Sequence, residues 1–308
     1  MSDQLTKYLF ADRSVRLQTV ELDTAWQAMQ QGHDYPPAIG RLLGELVAAS
    51  LLLSANLKFD GTLALQLQGD GDARLIVVEC RSNLDVRATV KLREDAVVAD
   101  DAGLQALVNP GGTGRFTVVL DPQHRQPSQV PYQGIVPLVG ETVAEVLEHY
   151  MASSEQLQTR LWLAADLERS TGLLLQRLPN DGGKEKTAED DPDETWNRTL
   201  HLAETLKREE MLENAAPTLV HRLFWQEELT AFEPMPARFH CPCSREKVAN
   251  VLRVLGQPEV EEILAESGEV KVKCDYCLTA YRFDPVDCAE VFASNDPVSV
   301  RHKSGNTH

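Results

Sequence analysis

The sequence predicts an α+β protein: a mixed sheet-and-helix N-terminal domain, a helical linker and a small C-terminal zinc-binding domain. Three observations predict it. Between Thr62 and Leu120 alternating apolar segments crowd together, set apart from separate helical patterns. Composition shifts after Pro179 into a charged run with almost no apolar residue. Four of the six cysteines then fall into two close pairs in the last quarter of the chain.

Taken in order, Ala38 to Leu57 is apolar and free of proline, with Leu42, Leu43, Leu46, Val47 and Leu53 spaced for a buried helix. Thr62 to Gln68 alternates, with Leu63, Leu65 and Leu67 on one face. Gly69-Asp70-Gly71-Asp72 is a turn and Arg74 to Cys80 a second strand, so the pair reads as a hairpin. Asp85 to Leu92 and Arg115 to Leu120 continue the strand pattern, the latter fed by the turn Asn109-Pro-Gly-Gly-Thr-Gly. That glycine-rich turn lacks the Gly-Lys-Ser/Thr ending that grips phosphates. Thr142 to Met151 is a helix by the spacing of Val143, Val146, Leu147 and Tyr150. Leu161 to Leu167 and Gly172 to Leu178 read as two last strands. These elements define a first domain over residues 1–178.

Residues 179–234 form the linker. Its first part, Asn180 to Pro192, holds Gly182, Gly183 and a crowd of charges. Glu194 to Leu212 and Thr218 to Phe232 are helical by period, with Pro217 placed for a first turn. From Pro179 to Pro234 there are 14 acids against 6 Lys or Arg. Short helices depend on docking an apolar face, so this segment is expected to be metastable. Leu219, Leu223, Phe224 and Trp225 are the apolar residues it would expose on opening. If these helices dock on the cysteine unit, melting of that unit would release them. The unit itself is placed at 235–293, and the polar tail 294–308 is expected to be disordered.

A formal net charge of −17 opposes sequence-blind attraction to nucleic acid or anionic lipid. The N-terminus shows no signal-peptide pattern, and Leu46 to Leu53 is too short an apolar run to span a bilayer. A cytoplasmic location is the expectation, and in that compartment clustered cysteines suggest metal or redox chemistry before structural disulfides.

Cys241-Pro-Cys243 and Cys274-Asp-Tyr-Cys277 are separated by 30 residues. Two chelating pairs supply the four soft ligands of a tetrahedral zinc ion, one Zn2+ per chain. Arg245 to Leu255 and Val260 to Ser267 look helical and Glu269 to Lys273 extended, which would bring the pairs together. His240 is a less favoured substitute ligand, because four thiolates already close the shell. Most such sites are inert struts. The spacing pulls the other way, because each pair places two sulfurs close enough to join, and zinc holds them as thiolates, the oxidisable form. Cys80, ending a strand, reads as a small buried hydrophobe, and Cys288 as a spare thiol.

Phe239-His-Cys-Pro-Cys-Ser-Arg-Glu-Lys-Val and Gly268-Glu-Val-Lys-Val-Lys-Cys-Asp-Tyr-Cys resemble the bacterial redox-regulated heat-shock chaperone family, the thirty-three-kilodalton chaperonins. Leu65-Gln-Leu-Gln-Gly-Asp-Gly, Leu75-Ile-Val-Val-Glu-Cys, Trp162-Leu-Ala-Ala-Asp-Leu and Gly172-Leu-Leu-Leu-Gln-Arg-Leu-Pro look like its N-terminal domain. The resemblance implies a zinc-bound reduced form that is inactive as a chaperone. Oxidants would convert the cysteines to Cys274–Cys277, first, and Cys241–Cys243, with zinc released. The linker would unfold, and a homodimer would hold unfolded or oxidatively damaged clients without ATP, with Leu219, Leu223, Phe224 and Trp225 as the expected client-binding residues. Three rivals remain: an enzyme with a catalytic zinc, a dithiol oxidoreductase using Cys274 and Cys277, and a zinc-ribbon nucleic-acid binder. Four thiolates leave no open metal position, the CxxC lies late in the chain, and a basic footprint is lacking beyond Lys271 and Lys273. No catalytic residue is assigned.

Overall fold

The computed structural model describes residues 3–57, 60–124, 130–179 and 192–293. It separates into two compact units, Met1–Cys241 and Pro242–His308. The charged stretch 180–191 and the tail 294–308, whose character was anticipated above, lie outside the described residues.

The first unit opens with a hairpin, β1 (Gln4–Phe10) and β2 (Val15–Leu22), followed by α1 (Thr24–Gln30) and α2 (Pro37–Ser54). A meander of β3 (Gly61–Gln68), β4 (Ala73–Arg81) and β5 (Asp85–Leu92) follows. Then come α3 (Leu104–Val108), β6 (Arg115–Pro122), β7 (Tyr132–Pro137), α4 (Val143–Ser154), β8 (Thr159–Ala165) and β9 (Ser170–Arg177). One sheet runs β1-β2-β9-β8 and the other β5-β4-β3-β6-β7, all antiparallel.

Helix α2 packs on strands of both sheets. Pro37 fits its first turn, where the missing N–H costs nothing. It is 18 residues long and apolar enough for a membrane span by length and composition, but it is mostly buried inside the protein. Gly44 on this helix admits close approach: a Cβ there would lie 2.4 Å from the Cβ of Ala165 on β8. The expected hairpin is present in register, with Leu63 opposite Cys80, Leu65 opposite Val78 and Leu67 opposite Ile76, all on the core face. Gly69 in its turn lies against the α3 backbone, where a Cβ would meet the Val108 carbonyl oxygen at 1.9 Å.

Glu45 on α2 is a partly buried carboxyl near Arg208 and Arg41, and desolvation pushes its pKa up to about 7. The folded state therefore keeps this proton where the unfolded chain releases it. The contribution to stability is full below about pH 4.5 and is lost as the pH rises towards about 7. Glu45→Gln should raise stability over the parent at pH 8 by on the order of 1–3 kcal/mol, and much less at pH 5. Denaturation midpoints at the two pH values check this; an equal gap at both would contradict it.

Past the undescribed stretch, the expected helix from Glu194 to Leu212 is two helices, α5 (Pro192–Ala203) and α6 (Arg208–Glu213). The chain turns between them so that Leu206 enters the core, and the Glu210 carboxylate restarts the helix by accepting the Lys207 N–H at 3.1 Å. The expected helix to Phe232 ends at Phe224: α7 is Ala216–Phe224, with Pro217 in its first turn. Beyond it the backbone finds ladder partners instead. β10 (Leu229–Ala231) and β11 (Met235–Pro236) pair with β1, and β12 (Arg238–Phe239) adds to β5 in parallel. Met235 to Phe239, expected to begin the cysteine unit, thus belongs by pairing to the sheets of the first unit.

Helices α5–α7 pack on the first unit. Their apolar side chains Trp196, Leu206, Met211, Leu219, Val220 and Phe224 cover the first sheet at Tyr8, Phe10, Leu17, Leu173 and Leu175. Phe224 meets Phe10 edge-on, ring centroids 5.7 Å apart.

In the second unit, α8 (Arg245–Leu255) and α9 (Gln257–Ser267) precede a hairpin, β13 (Val270–Lys273) and β14 (Ala280–Phe283), and then α10 (Pro285–Ala293). Ser244 caps α8 by accepting the Lys247 N–H at 3.2 Å. The core is small, built around Val248, Leu252, Val260, Val270, Phe283 and Val291. Arg245 lies over the Phe283 ring at 4.1 Å.

Candidate metal centre

Cys274 and Cys277 lie in the turn between β13 and β14. The register pairs Lys273 with Ala280, and the turn closes by Cys274 N–H to the Thr279 carbonyl at 3.0 Å and Leu278 N–H to the Cys274 carbonyl at 2.9 Å. Leu278 takes φ 58°, so both sulfurs can emerge on one side of a tight knuckle. Cys241 lies just beyond β12, and Cys243 just before the Ser244 cap of α8. A helix N-terminus favours negative charge, which suits a thiolate at that position.

The four Sγ atoms lie within 4.8 Å of one another, Cys243 and Cys277 at 3.3 Å. A tetrahedral zinc ion with bonds of ~2.3 Å needs sulfurs about 3.8 Å apart. A disulfide needs ~2.05 Å, well short of the 3.3 Å between Cys243 and Cys277. The set therefore fits a zinc ion, and His240 stands outside it.

Neighbours also address these sulfurs. The Tyr281 hydroxyl donates to Cys243 Sγ at 3.1 Å, and the Thr279 hydroxyl lies 3.2 Å from Cys277 Sγ. The bond to Cys243, aided by burial, pushes the Tyr281 phenol up to about 12, so it stays a donor at neutral pH. In the first unit Arg87 on β5 donates through Nη1 to Cys241 Sγ at 3.8 Å while pairing with Glu79 of β4 at 2.6 Å. Sequence reading singled out none of these neighbours. Tyr281 and Thr279 could have been found from their two-residue steps beyond Cys277, Thr279 in the turn and Tyr281 on β14. Arg87 carried no local signal, because its place beside Cys241 depends on β12 joining β5.

The remaining expectations can be placed. Cys80 is fully buried and its thiol is pushed up to about 12 by that burial, so it is inert. Cys288 is buried in the core of the second unit, outside the cluster. Among the residues expected to meet clients, Leu219 and Phe224 are buried and Leu223 is partly covered. Trp225 is 67 % exposed.

The family model described as Hsp33 protein matches residues 3–284. The chain belongs to the Hsp33 family. It is 44 % identical over 295 residues to a 33 kDa chaperonin of Methylobacillus flagellatus, covering 96 % of each chain. A 33 kDa chaperonin of Chromobacterium violaceum is also 44 % identical, over 94 % of each. The crystal structure of the 33 kDa chaperonin of Thermotoga maritima superposes with a TM-score of 0.79 at 22 % identity, over 96 % of this chain and 100 % of that one, which shows the shared fold. The α+β architecture and the chaperone family read from the Hsp33-like motifs are both borne out. The relatives' names describe chaperones rather than enzymes.

Proposed function

We propose that this Hsp33-family chaperone is an ATP-independent holdase switched on by oxidation. The observation that carries the reading is the gathering of Cys241, Cys243, Cys274 and Cys277 within 4.8 Å, in two pairs each able to close on itself. Zinc, when bound, would hold the four sulfurs as thiolates. Each pair then gives two electrons to one peroxide, which with two protons becomes two waters as one S–S bond forms. Sulfurs joined as Cys274–Cys277 and Cys241–Cys243 no longer serve as ligands, and a unit with so small a core loses its main support.

The path from this event to client binding runs through the chain just before Cys241. Strands β10, β11 and β12 tie that segment to β1 and β5, directly after α7. Loosening it would weaken the docking of α7 and uncover Leu219, Leu223 and Phe224 together with the sheet beneath. The active form is a cytoplasmic homodimer, and its partners are unfolded or oxidatively damaged proteins.

The test is light scattering from a chemically unfolded client diluted into buffer with this protein. The reduced, zinc-loaded form is compared with one treated with peroxide at elevated temperature. Suppression of aggregation after oxidation alone is the expected result. Equal behaviour of both forms would sink the switch and leave an inert strut, and turnover of dithiol substrates would instead identify an oxidoreductase.

A further inference from the structure

We infer that Arg169 is a positioning residue for the linker: from the β8–β9 turn it fixes the junction of α6 and α7, and so sets how readily Leu219 and Phe224 are uncovered. The inference deepens the regulation proposed above and rests on that reading only for its effect on clients.

Asn214 and Ala215 join the two helices, and carbonyls at such a break have no partner within the helix they end. Arg169 Nη1 donates to two of them, Leu212 at 3.0 Å and Asn214 at 3.2 Å. Its Nε donates to Asp23 Oδ1 at 2.9 Å, and Nη2 lies 3.5 Å from Oδ2. The carboxylate thus sets the plane of the guanidinium and leaves one nitrogen of the fork for the linker. Across the break, Glu21 Oε2 accepts the Ala216 N–H at 2.9 Å, and Glu21 is 6 % exposed. A cation meets the carbonyls that end α6 and a carboxylate meets an N–H that starts α7, each matching the partial charge it faces.

The support behind Arg169 is built from α1 and the turn itself. Asp166 Oδ1 accepts the N–H groups of Glu168 at 2.9 Å and Arg169 at 2.7 Å. Trp26 Nε1 donates to the Asp166 carbonyl at 2.7 Å, and the Gln27 and Gln30 amides to the Glu168 and Leu167 carbonyls at 3.1 and 3.0 Å. Asp23 stands at the start of α1, so both halves of the ion pair are seated on one scaffold. Arg208, at the other end of α6, donates to the Ala165 carbonyl that closes β8. The β8–β9 hairpin therefore holds α6 at both ends.

An exposed ion pair is ordinarily worth little. Here the side chains are 23 % and 27 % exposed, and the guanidinium is also spent on backbone that must stay in place for α7 to lie on the sheet. The break brings little apolar surface of its own: Asn214 is half-buried and Ala215 exposed. Polar contacts to Arg169 and Glu21 hold it instead.

The experiment follows amide exchange in the full, reduced, zinc-loaded chain beside Arg169→Met, Arg169→Lys and Asp23→Asn. Arg169→Met keeps the stem without the donors and should speed exchange across α6 and α7 on the order of 10-fold, with β3, β4, β9 and the zinc content unchanged. Asp23→Asn leaves the carbonyl bonds and should move the same amides by a smaller factor. Arg169→Lys should fall between Arg169→Met and the parent. The reduced Arg169→Met protein should also suppress light scattering from a chemically unfolded client at a temperature where the reduced parent does not. Exchange in α6 and α7 equal to the parent's would overturn the assignment. So would faster exchange spread evenly through β3, β4 and β9, which marks a loss of folding. Faster exchange confined to α6 and α7, with no suppression of scattering, would uphold the assignment and overturn the client-binding role of the face beneath.

Discussion

Replacing Cys277 by serine is expected to unfold residues 242–293 while leaving the first unit folded. A structural zinc site contributes on the order of 10–16 kcal/mol to folding at neutral pH, against about 5–15 kcal/mol for a whole domain. Among the described residues, the core of the second unit has few large side chains, Phe283 being the one fully buried aromatic. Its helices α8 and α9 are short, 11 residues each, below the length at which a helix holds alone in water. Loss of one ligand opens a tetrahedral site and removes most of that metal contribution. Amide exchange should show protection lost across α8, α9, β13 and β14 but retained in β3, β4 and β9. Protection retained in both units would mean that the packing of Val248, Leu252 and Phe283 suffices without metal. Chelation of the parent chain should give the same pattern, and reloading with zinc should reverse it.

Phe224→Ala should produce a chaperone that holds clients without oxidation. The Phe224 side chain is 2 % exposed and seated on Phe10, beside Leu219 and Leu173. Deleting a buried phenylalanine typically costs about 3–5 kcal/mol, from lost apolar burial and the cavity left behind. Helix α7 is nine residues long and draws its stability from this contact face. Its release would expose Tyr8, Phe10, Leu17 and Leu175 on the sheet, an apolar surface of the kind that marks binding sites. Trp225→Ala is the matching control: at 67 % exposure it should change stability by no more than about 0.5 kcal/mol. Binding of a hydrophobic dye and light scattering with the reduced proteins read the result. A Phe224→Ala protein that is destabilised but silent towards clients would remove this face from the mechanism.

Several elements were legible because their signal is local. The α2 stripe, the β3–β4 hairpin around its glycine turn, the turn feeding β6, and helices α4 and α8 follow from periodicity, and each lies close to where periodicity puts it. The two cysteine pairs were equally plain, because a chelating pair is a short-range pattern. Other features were not legible. β1 and β2 carry mixed polar and apolar residues, and the sheet they join is assembled by β9, far along the chain. The breaks after Ala203 and Phe224 were missed because periodicity continues through them. What ends the helices there is the pull of Leu206 into the core, and of Leu229–Ala231 onto the edge of β1.

The sequence by itself determined the fold class, the family and the two cysteine pairs that come together, since these rest on residue type and spacing along the chain. Only the tertiary structure decided what α5–α7 cover, which strand holds Cys241, and that Arg87 reaches its sulfur. Those facts depend on pairings between distant segments, β12 with β5 and α7 with β1 and β2. Such pairings are selected by the burial of whole faces and the satisfaction of whole sheet edges, which no local window of sequence records.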